Sequence, residues 1–173
     1  MISDGTKQGL DPQHMAVGTI GERYLFLGKQ FRYVKPGVAV GAGATKLWRF
    51  KTPDTADRAL LRIWVLYTVA PASLGLYEDA VINAAGTDRS ADIFNLVRKR
   101  GVDASTMVIR EDCTLNAAGN LIALGMPSGT LQQGLQYDCP IEAGRNTEYV
   151  LKLVDAGAGS TCAFVFEWAE VQE

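Results

Sequence analysis

The 173-residue chain has one histidine, three cysteines, no long apolar run and no excess of either charge. Each scarcity removes a class of function. The histidine, His14, lies in a polar N-terminal segment. A Ser-His-Asp or Cys-His catalytic set would have to use it, and a general base must be held within hydrogen-bond reach of its target. His-rich metal centres fall on the same ground. Neither Gly-x-Ser-x-Gly nor Gly-x-x-x-x-Gly-Lys-Ser/Thr occurs. The expectation is a protein that is not an enzyme and carries neither cofactor nor metal.

Cys113, Cys139 and Cys162 are odd in number and widely spaced, without a Cys-x-x-Cys pair. That pattern is not a disulfide framework and reads as reduced thiols made in a cytosol. No apolar run reaches the ~18 residues of a membrane span. Met1-Ile2-Ser3-Asp4-Gly5-Thr6-Lys7 lacks the apolar stretch of a secretory signal. With 17 basic and 19 acidic residues the net charge is −2, so the basic footprint of a nucleic-acid binder is missing. Neither membrane nor nucleic acid is an expected partner.

What the chain does have is glycine, 18 against 6 prolines, and short alternating apolar segments. Residues 1–21 are polar and without period, and read as an N-terminal arm. Residues 22–173 read as one β domain. Phe31 and Tyr33 alternate with charges and stop at Pro36-Gly37, a turn signal. In 45–52, Trp48 and Phe50 share a face opposite Arg49 and Lys51, the period of a half-buried strand.

Residues 59–68 are apolar on both faces, as expected where one face packs inward and the other meets a neighbour. Residues 73–78, 106–110 and 121–126 are further strands. Tyr149, Leu151 and Leu153 share a face of one closing strand; Cys162, Phe164, Phe166 and Trp168 share a face of the other. A Gly-rich, hairpin-length loop joins these two. Only 92–100 has the composition of a short helix. Eight to ten strands at this spacing predict an all-β, antiparallel β-sandwich. Its core should rest on Trp48, Phe50, Ile63, Val65, Leu151, Leu153, Phe164 and Phe166.

The sequence echoes itself once. Glu78-Asp79 leads through three residues to Asn83-Ala84-Ala85-Gly86, and 33 positions later Glu111-Asp112 leads through three residues to Asn116-Ala117-Ala118-Gly119. One echo is too few for a solenoid. It reads as two strand exits of similar form, each closed by an Asn/Gly turn. A calcium site built from Glu78, Asp79, Asn83 and their counterparts is the functional alternative, although the oxygen spacing matches no EF-hand loop. Glu78 with Glu111 is also one free choice of carboxylate pair for a glycosidase, a chemistry that needs two carboxyls flanking a cleft.

Arg98, Lys99 and Arg100, with Arg89 nearby, form the densest positive charge. They make either a solvated loop or a surface for an acidic protein partner. Trp48, Trp64 and Trp168 are either core and subunit-interface residues or the stacking platform of a carbohydrate-binding module on a tail fibre or secreted enzyme.

The run Thr45-Lys46-Leu47-Trp48-Arg49-Phe50-Lys51-Thr52-Pro53-Asp54 is followed by the long strand and by Leu76-Tyr77-Glu78. Next come Asn95-Leu96-Val97-Arg98-Lys99-Arg100, a second strand with its Asn-Ala-Ala-Gly loop, and the closing Thr147-Glu148-Tyr149-Val150-Leu151-Lys152-Leu153. From residue 22 to the C-terminus this order resembles the jelly-roll head decoration (cement or auxiliary capsid) proteins of tailed bacteriophages. In that family a K-Y-x-x-F-K-T-P strand precedes E-L-Y-E, an N-R-N-R-like segment and an N-T-x-Y-L strand; the Asn/Arg segment here is a looser version.

The resemblance implies a jelly-roll sandwich with an extended N-terminal arm. It implies a structural virion protein on the capsid exterior, made in the host cytoplasm, that binds the major capsid protein. Self-association is implied as a homotrimer at threefold and quasi-threefold positions. Leu10, Met15, Val17 and Ile20 of the arm, with Arg98, Lys99 and Arg100, are then the expected partner-binding residues.

Overall fold

The computed structural model describes residues 29–54, 58–67, 72–96, 104–125, 134–136 and 141–171; for 58, 62–67, 124–125, 134–136, 160, 164 and 171 it is the backbone that is described. Fourteen strands are present among these residues: β1 Gln30–Val40, β2 Thr45–Lys51, β3 Arg58–Tyr67, β4 Ala72–Glu78, β5 Val81–Ala84, β6 Thr87–Asp88, β7 Phe94–Asn95, β8 Val108–Glu111, β9 Thr114–Ala117, β10 Asn120–Gly125, β11 Gly134–Gln136, β12 Ile141–Ala143, β13 Glu148–Asp155 and β14 Ser160–Val171. The expected eight to ten fell short because strands of two to four residues are too brief to carry a readable period.

The strands form an all-β sandwich. One sheet runs β11-β3-β14-β1-β7, with β12 also on β3; the other runs β10-β4-β13-β2-β8-β6; β5 and β9 make a separate two-stranded ribbon. All pairings are antiparallel, and the main ones are nested along the chain. Thus β1 pairs with β14, β2 with β13, β3 with β12 and β11, and β4 with β10. The chain is therefore a long hairpin folded over on itself. The ribbon and strands β6 to β8 are spliced in at its tip, between β4 and β10.

Alternation explains which side chains fill the space between the sheets. Phe31 and Tyr33 come from β1, Trp48 and Phe50 from β2, Leu74 and Leu76 from β4, Tyr149, Leu151 and Leu153 from β13, and Cys162, Phe166 and Trp168 from β14; all are buried in one cluster. Phe50 and Phe166 meet across the two sheets with ring centroids 4.0 Å apart, and Phe166 continues to Trp168 at 5.3 Å. Five of the eight expected core residues are thus in place: Trp48, Phe50, Leu151, Leu153 and Phe166. The side chains of Ile63, Val65 and Phe164 lie outside the described set.

Two local readings are corrected. Pro36-Gly37 does not end β1; it makes a bulge inside it, where the register to β14 shifts between Lys35 and Val38 and Gly37 takes φ +63°. A proline here costs no ladder bond because a bulge already breaks the ladder. The actual turn comes later, where Ala44 N–H donates to Gly41 O at 2.9 Å. The described part of the expected helix at 92–100 is not α-helical: Asp92 ends a 3-10 turn begun at Ser90, and Phe94–Asn95 form β7, paired with β1. Phe94 thus serves a sheet edge.

Candidate functional site

Both halves of the echo begin with a glutamate that continues an inward-facing row. Leu74 and Leu76 lead to Glu78, and Met107 and Ile109 lead to Glu111. Glu111 is 6% exposed, so its charge has to be met from within the protein. Tyr33 donates its hydroxyl to Oε1 at 2.6 Å, and Trp48 donates Nε1–H to the same oxygen at 3.2 Å. Lys35 Nζ and Arg89 Nε donate to Oε2 at 3.0 and 3.1 Å. Burial pushes the Glu111 carboxyl up, but the hydrogen bonds from Tyr33, Lys35 and Trp48 and the charge of Lys35 outweigh it and hold the group below its ordinary range. The Tyr33 hydroxyl moves the other way, raised by burial and by its bond to Glu111.

Arg89 reaches Glu111 because its own backbone is pinned. Its N–H donates to Ile109 O at 2.8 Å, and the neighbouring Asp88 carboxylate accepts Ser90 N–H at 2.8 Å. Above Glu111 a cleft of about 240 Å³ opens to solvent, lined by Lys35, Val38, Lys46, Trp48, Arg89, Glu111 and Asp112. Lys46 pairs with Asp112 at its rim, Nζ to Oδ1 3.0 Å.

The other glutamate is used differently. Glu78 accepts the Tyr149 hydroxyl at 2.6 Å, and Gly144 N–H donates to the same hydroxyl oxygen at 2.9 Å. The two carboxylates sit on β4 and β8 with β13 and β2 between them, which puts their backbones three strand spacings apart, roughly 14 Å. Each is engaged by a different tyrosine, so the Glu78/Glu111 pair does not flank a common cleft. Asn83 Nδ2 donates to Thr114 Oγ1 at 3.3 Å. No group of three His, Cys, Asp or Glu side chains that could hold a metal occurs among the described residues.

The echo is a twofold interlock rather than two self-closed turns. Asp79 and Asp112 both take positive φ, +57° and +54°, at the strand exits. Gly86 (φ +78°) is packed against the backbone of Glu111, Asp112 and Cys113, and Gly119 (φ +84°) against that of Glu78, Asp79 and Ala80. Each glycine therefore closes the other copy's corner. In the ribbon, Ile82 pairs with Leu115, its own counterpart, and the pairs Val81↔Ala117 and Ala84↔Thr114 exchange under the 33-residue shift. Likewise Thr87 pairs with Glu111 as Asn120 pairs with Glu78.

The expected partner-binding residues Leu10, Met15, Val17, Ile20, Arg98, Lys99 and Arg100 lie outside the described residues, as do His14 and Cys139. Arg89, grouped in sequence with the basic cluster, is turned onto Glu111. Trp48 and Trp168 are core residues, 3% and 1% exposed, and present no ring face for sugar stacking; the side chain of Trp64 lies outside the described set. Glu111 was not singled out from sequence as a hub. Its signal was there: a carboxylate on the inward parity of an apolar strand. No protein-family model matches the chain, and neither a curated protein nor a solved structure matches it.

Proposed function

We propose that this chain is a structural virion protein of the head-decoration type, which binds the outside of an assembled phage capsid and stabilises it. The observation that carries the reading is the nested strand order. A long hairpin folded into two sheets, with first strand on last, is the order expected of a jelly roll, and it supports the jelly-roll fold implied by the sequence resemblance. Jelly rolls are common in capsid proteins and in lectins, so fold alone does not choose between them. The burial of Trp48 and Trp168 weighs for the capsid reading, because it takes two of three tryptophans from a sugar platform.

The mechanism is linkage. A protein that binds only the expanded shell adds its binding free energy to the stability of that shell. As a homotrimer at threefold positions it presents each contact three times, and modest contacts to the major capsid protein sum through effective concentration. The arm residues Leu10, Met15, Val17 and Ile20 and the basic residues 98–100 supply those contacts. The test is the heat stability of expanded heads with and without the purified protein. The temperature of genome release should rise with protein concentration and level off at saturation. An unchanged release temperature at saturating protein overturns the reading.

A further inference from the structure

The interlock builds two corners of the same backbone form, so each is a control for the other. One joins β8 to the segment after Gly86, the other joins β4 to the segment after Gly119. At the Glu111 corner the acids are matched by cations. Lys35 and Arg89 pair with Glu111, Lys46 with Asp112, and Arg110 with Asp88; Arg89 also meets Asp92.

The Glu78 corner has no such cations. Where Arg110 pairs with Asp88 across the strands, Tyr77 pairs with Leu121, and Ile122 stands at the position of Arg89. Glu78 is half-buried and its Oε1 accepts the Tyr149 hydroxyl; no described group donates to its Oε2. Asp79 is exposed. Among the described residues no cation forms an ion pair with either acid. On the neighbouring strands Arg49 and Lys51 pair with Glu148 instead. Arg145 and Lys152, which flank Tyr149 in the chain, pair with neither Glu78 nor Asp79.

The apolar residues tell the same story. Five large apolar side chains are exposed among the described residues, and three belong to this corner: Val81, Leu121 and Ile122. Their counterparts, 33 positions away, are Thr114, Asp88 and Arg89, all polar. The shared backbone does not dictate the apolar choice, so it answers to something outside the chain. Exposed apolar side chains gathered in one place mark an interaction site. Gly75 leaves room for the pair beside it: a Cβ there would lie 2.7 Å from the Tyr77 ring and 3.1 Å from Leu121 Cδ1.

We propose that the Glu78 corner docks a basic and apolar segment of a partner protein. One Lys or Arg side chain of that segment reaches Glu78 and Asp79, and its aliphatic neighbours cover Leu121, Ile122 and Val81. The partner thus supplies at this corner the cation that Arg89 supplies at the other. Two carboxylates without a counter-charge select a positive group. The apolar residues beside them select a side chain on a peptide, because a hydrated metal ion gains nothing from Leu121 or Ile122. The proposal stands on the comparison of the corners and does not depend on the capsid reading.

The experiment titrates the ¹⁵N-labelled full chain with a short soluble peptide of alternating leucine and lysine. The same peptide with glutamine for lysine is the comparison. The amide resonances of Asp79, Leu121 and Ile122 should move saturably with the lysine peptide and far less with the glutamine peptide. Ile122→Arg places the cation of the other corner in this one, and should weaken binding at least roughly tenfold. Asp79→Asn should weaken it about threefold. Asparagine tolerates the left-handed backbone at this position, φ +57°. An amide spectrum unchanged away from the corner confirms that each variant is folded.

Three results overturn the proposal: no movement with the lysine peptide at about 10 mM, equal movement with the glutamine peptide, or undiminished binding by either variant. Movement of the same resonances on diluting the protein alone would assign the corner to a second copy of the chain and overturn the choice of partner.

Discussion

Gly119 is seated on the backbone of Glu78, and 33 residues earlier in the chain Gly86 is seated on Glu111 in the same way. A Cβ on Gly119 would run into the Glu78 carbonyl oxygen and lie 2.8 Å from Ala80 N; on Gly86 it would run into the Glu111 carbonyl and lie 2.7 Å from Cys113 N. Both glycines also hold positive φ. Gly119→Ala and Gly86→Ala therefore combine backbone strain with a clash against backbone that cannot swing away. Each should cost at least about 2 kcal/mol in urea unfolding. Gly37→Ala is the control: φ is +63° but nothing lies within 4 Å of the added carbon. It should cost only the left-handed penalty of about 1 kcal/mol. Equal effects for the three would contradict the interlock.

Glu111→Gln should destabilise the fold by about 1–3 kcal/mol at neutral pH, because it removes the charge that Tyr33, Trp48, Lys35 and Arg89 are arranged around. The sign of the pH effect follows from the lowered carboxyl. A carboxylate held below its unfolded value of about 4.3 adds stability above that pH and loses it as pH falls through the folded value. The parent protein should thus lose stability steeply below about pH 4, and the gap to Glu111→Gln should narrow there. A constant gap from pH 7 to pH 3 would show that the charge of Glu111 is not what matters.

The tyrosines set the opposite limit. Burial and the bonds to Glu111 and Glu78 raise the Tyr33 and Tyr149 hydroxyls well above the ordinary value near 10. A raised group contributes stability below its unfolded pKa and loses it as pH rises further. Stability should fall above about pH 10, and Tyr33→Phe and Tyr149→Phe should each flatten that fall. An unaltered alkaline limb in both variants would contradict the assigned bonds.

Cys113 and Cys162 are buried, and burial pushes both thiols up, Cys162 to about 11. Thiolate is the reactive form. At pH 8 a maleimide should leave both unlabelled in the native protein and label both in urea, as read by peptide mass. Rapid native labelling of Cys162 would place it outside the core.

Phe166→Ala should cost about 3–5 kcal/mol, since the ring is fully buried between Phe50 and Trp168. A loss below about 1 kcal/mol would mean that the sheets do not close on this contact.

Much of the fold was legible because strands with one buried face advertise it. Trp48 and Phe50, Leu151 and Leu153, and Cys162, Phe166 and Trp168 all stand inward on the parity their alternation predicts. Pro36-Gly37 misled because the same dipeptide serves a turn or a bulge, and only pairing with β14 tells them apart. The echo was visible as letters, but its meaning was not. That Gly86 closes the corner of Glu111 is a contact across 25 residues, and local spacing carries no information about it. The Glu111 site was hidden for the same reason: its partners come from β1, β2 and the segment after β6, which only the folded sheets bring to Glu111 on β8.

The capsid reading also fixes a mass and a division of labour. Light scattering should give about 56 kDa, three times the 18.7 kDa chain, if the trimer forms before docking. Deleting residues 1–21 should leave the unfolding midpoint unchanged while weakening attachment to heads. Attachment as tight as that of the full chain would remove the arm from the account.

Co-sedimentation with phage heads tests the central claim most directly. The full-length protein is mixed with expanded heads and, separately, with unexpanded proheads, and the pellets are quantified. The account predicts saturable pelleting with expanded heads, in multiples of three copies per threefold position, and little with proheads. Protein that stays in the supernatant with both, under conditions where it remains folded, would contradict it.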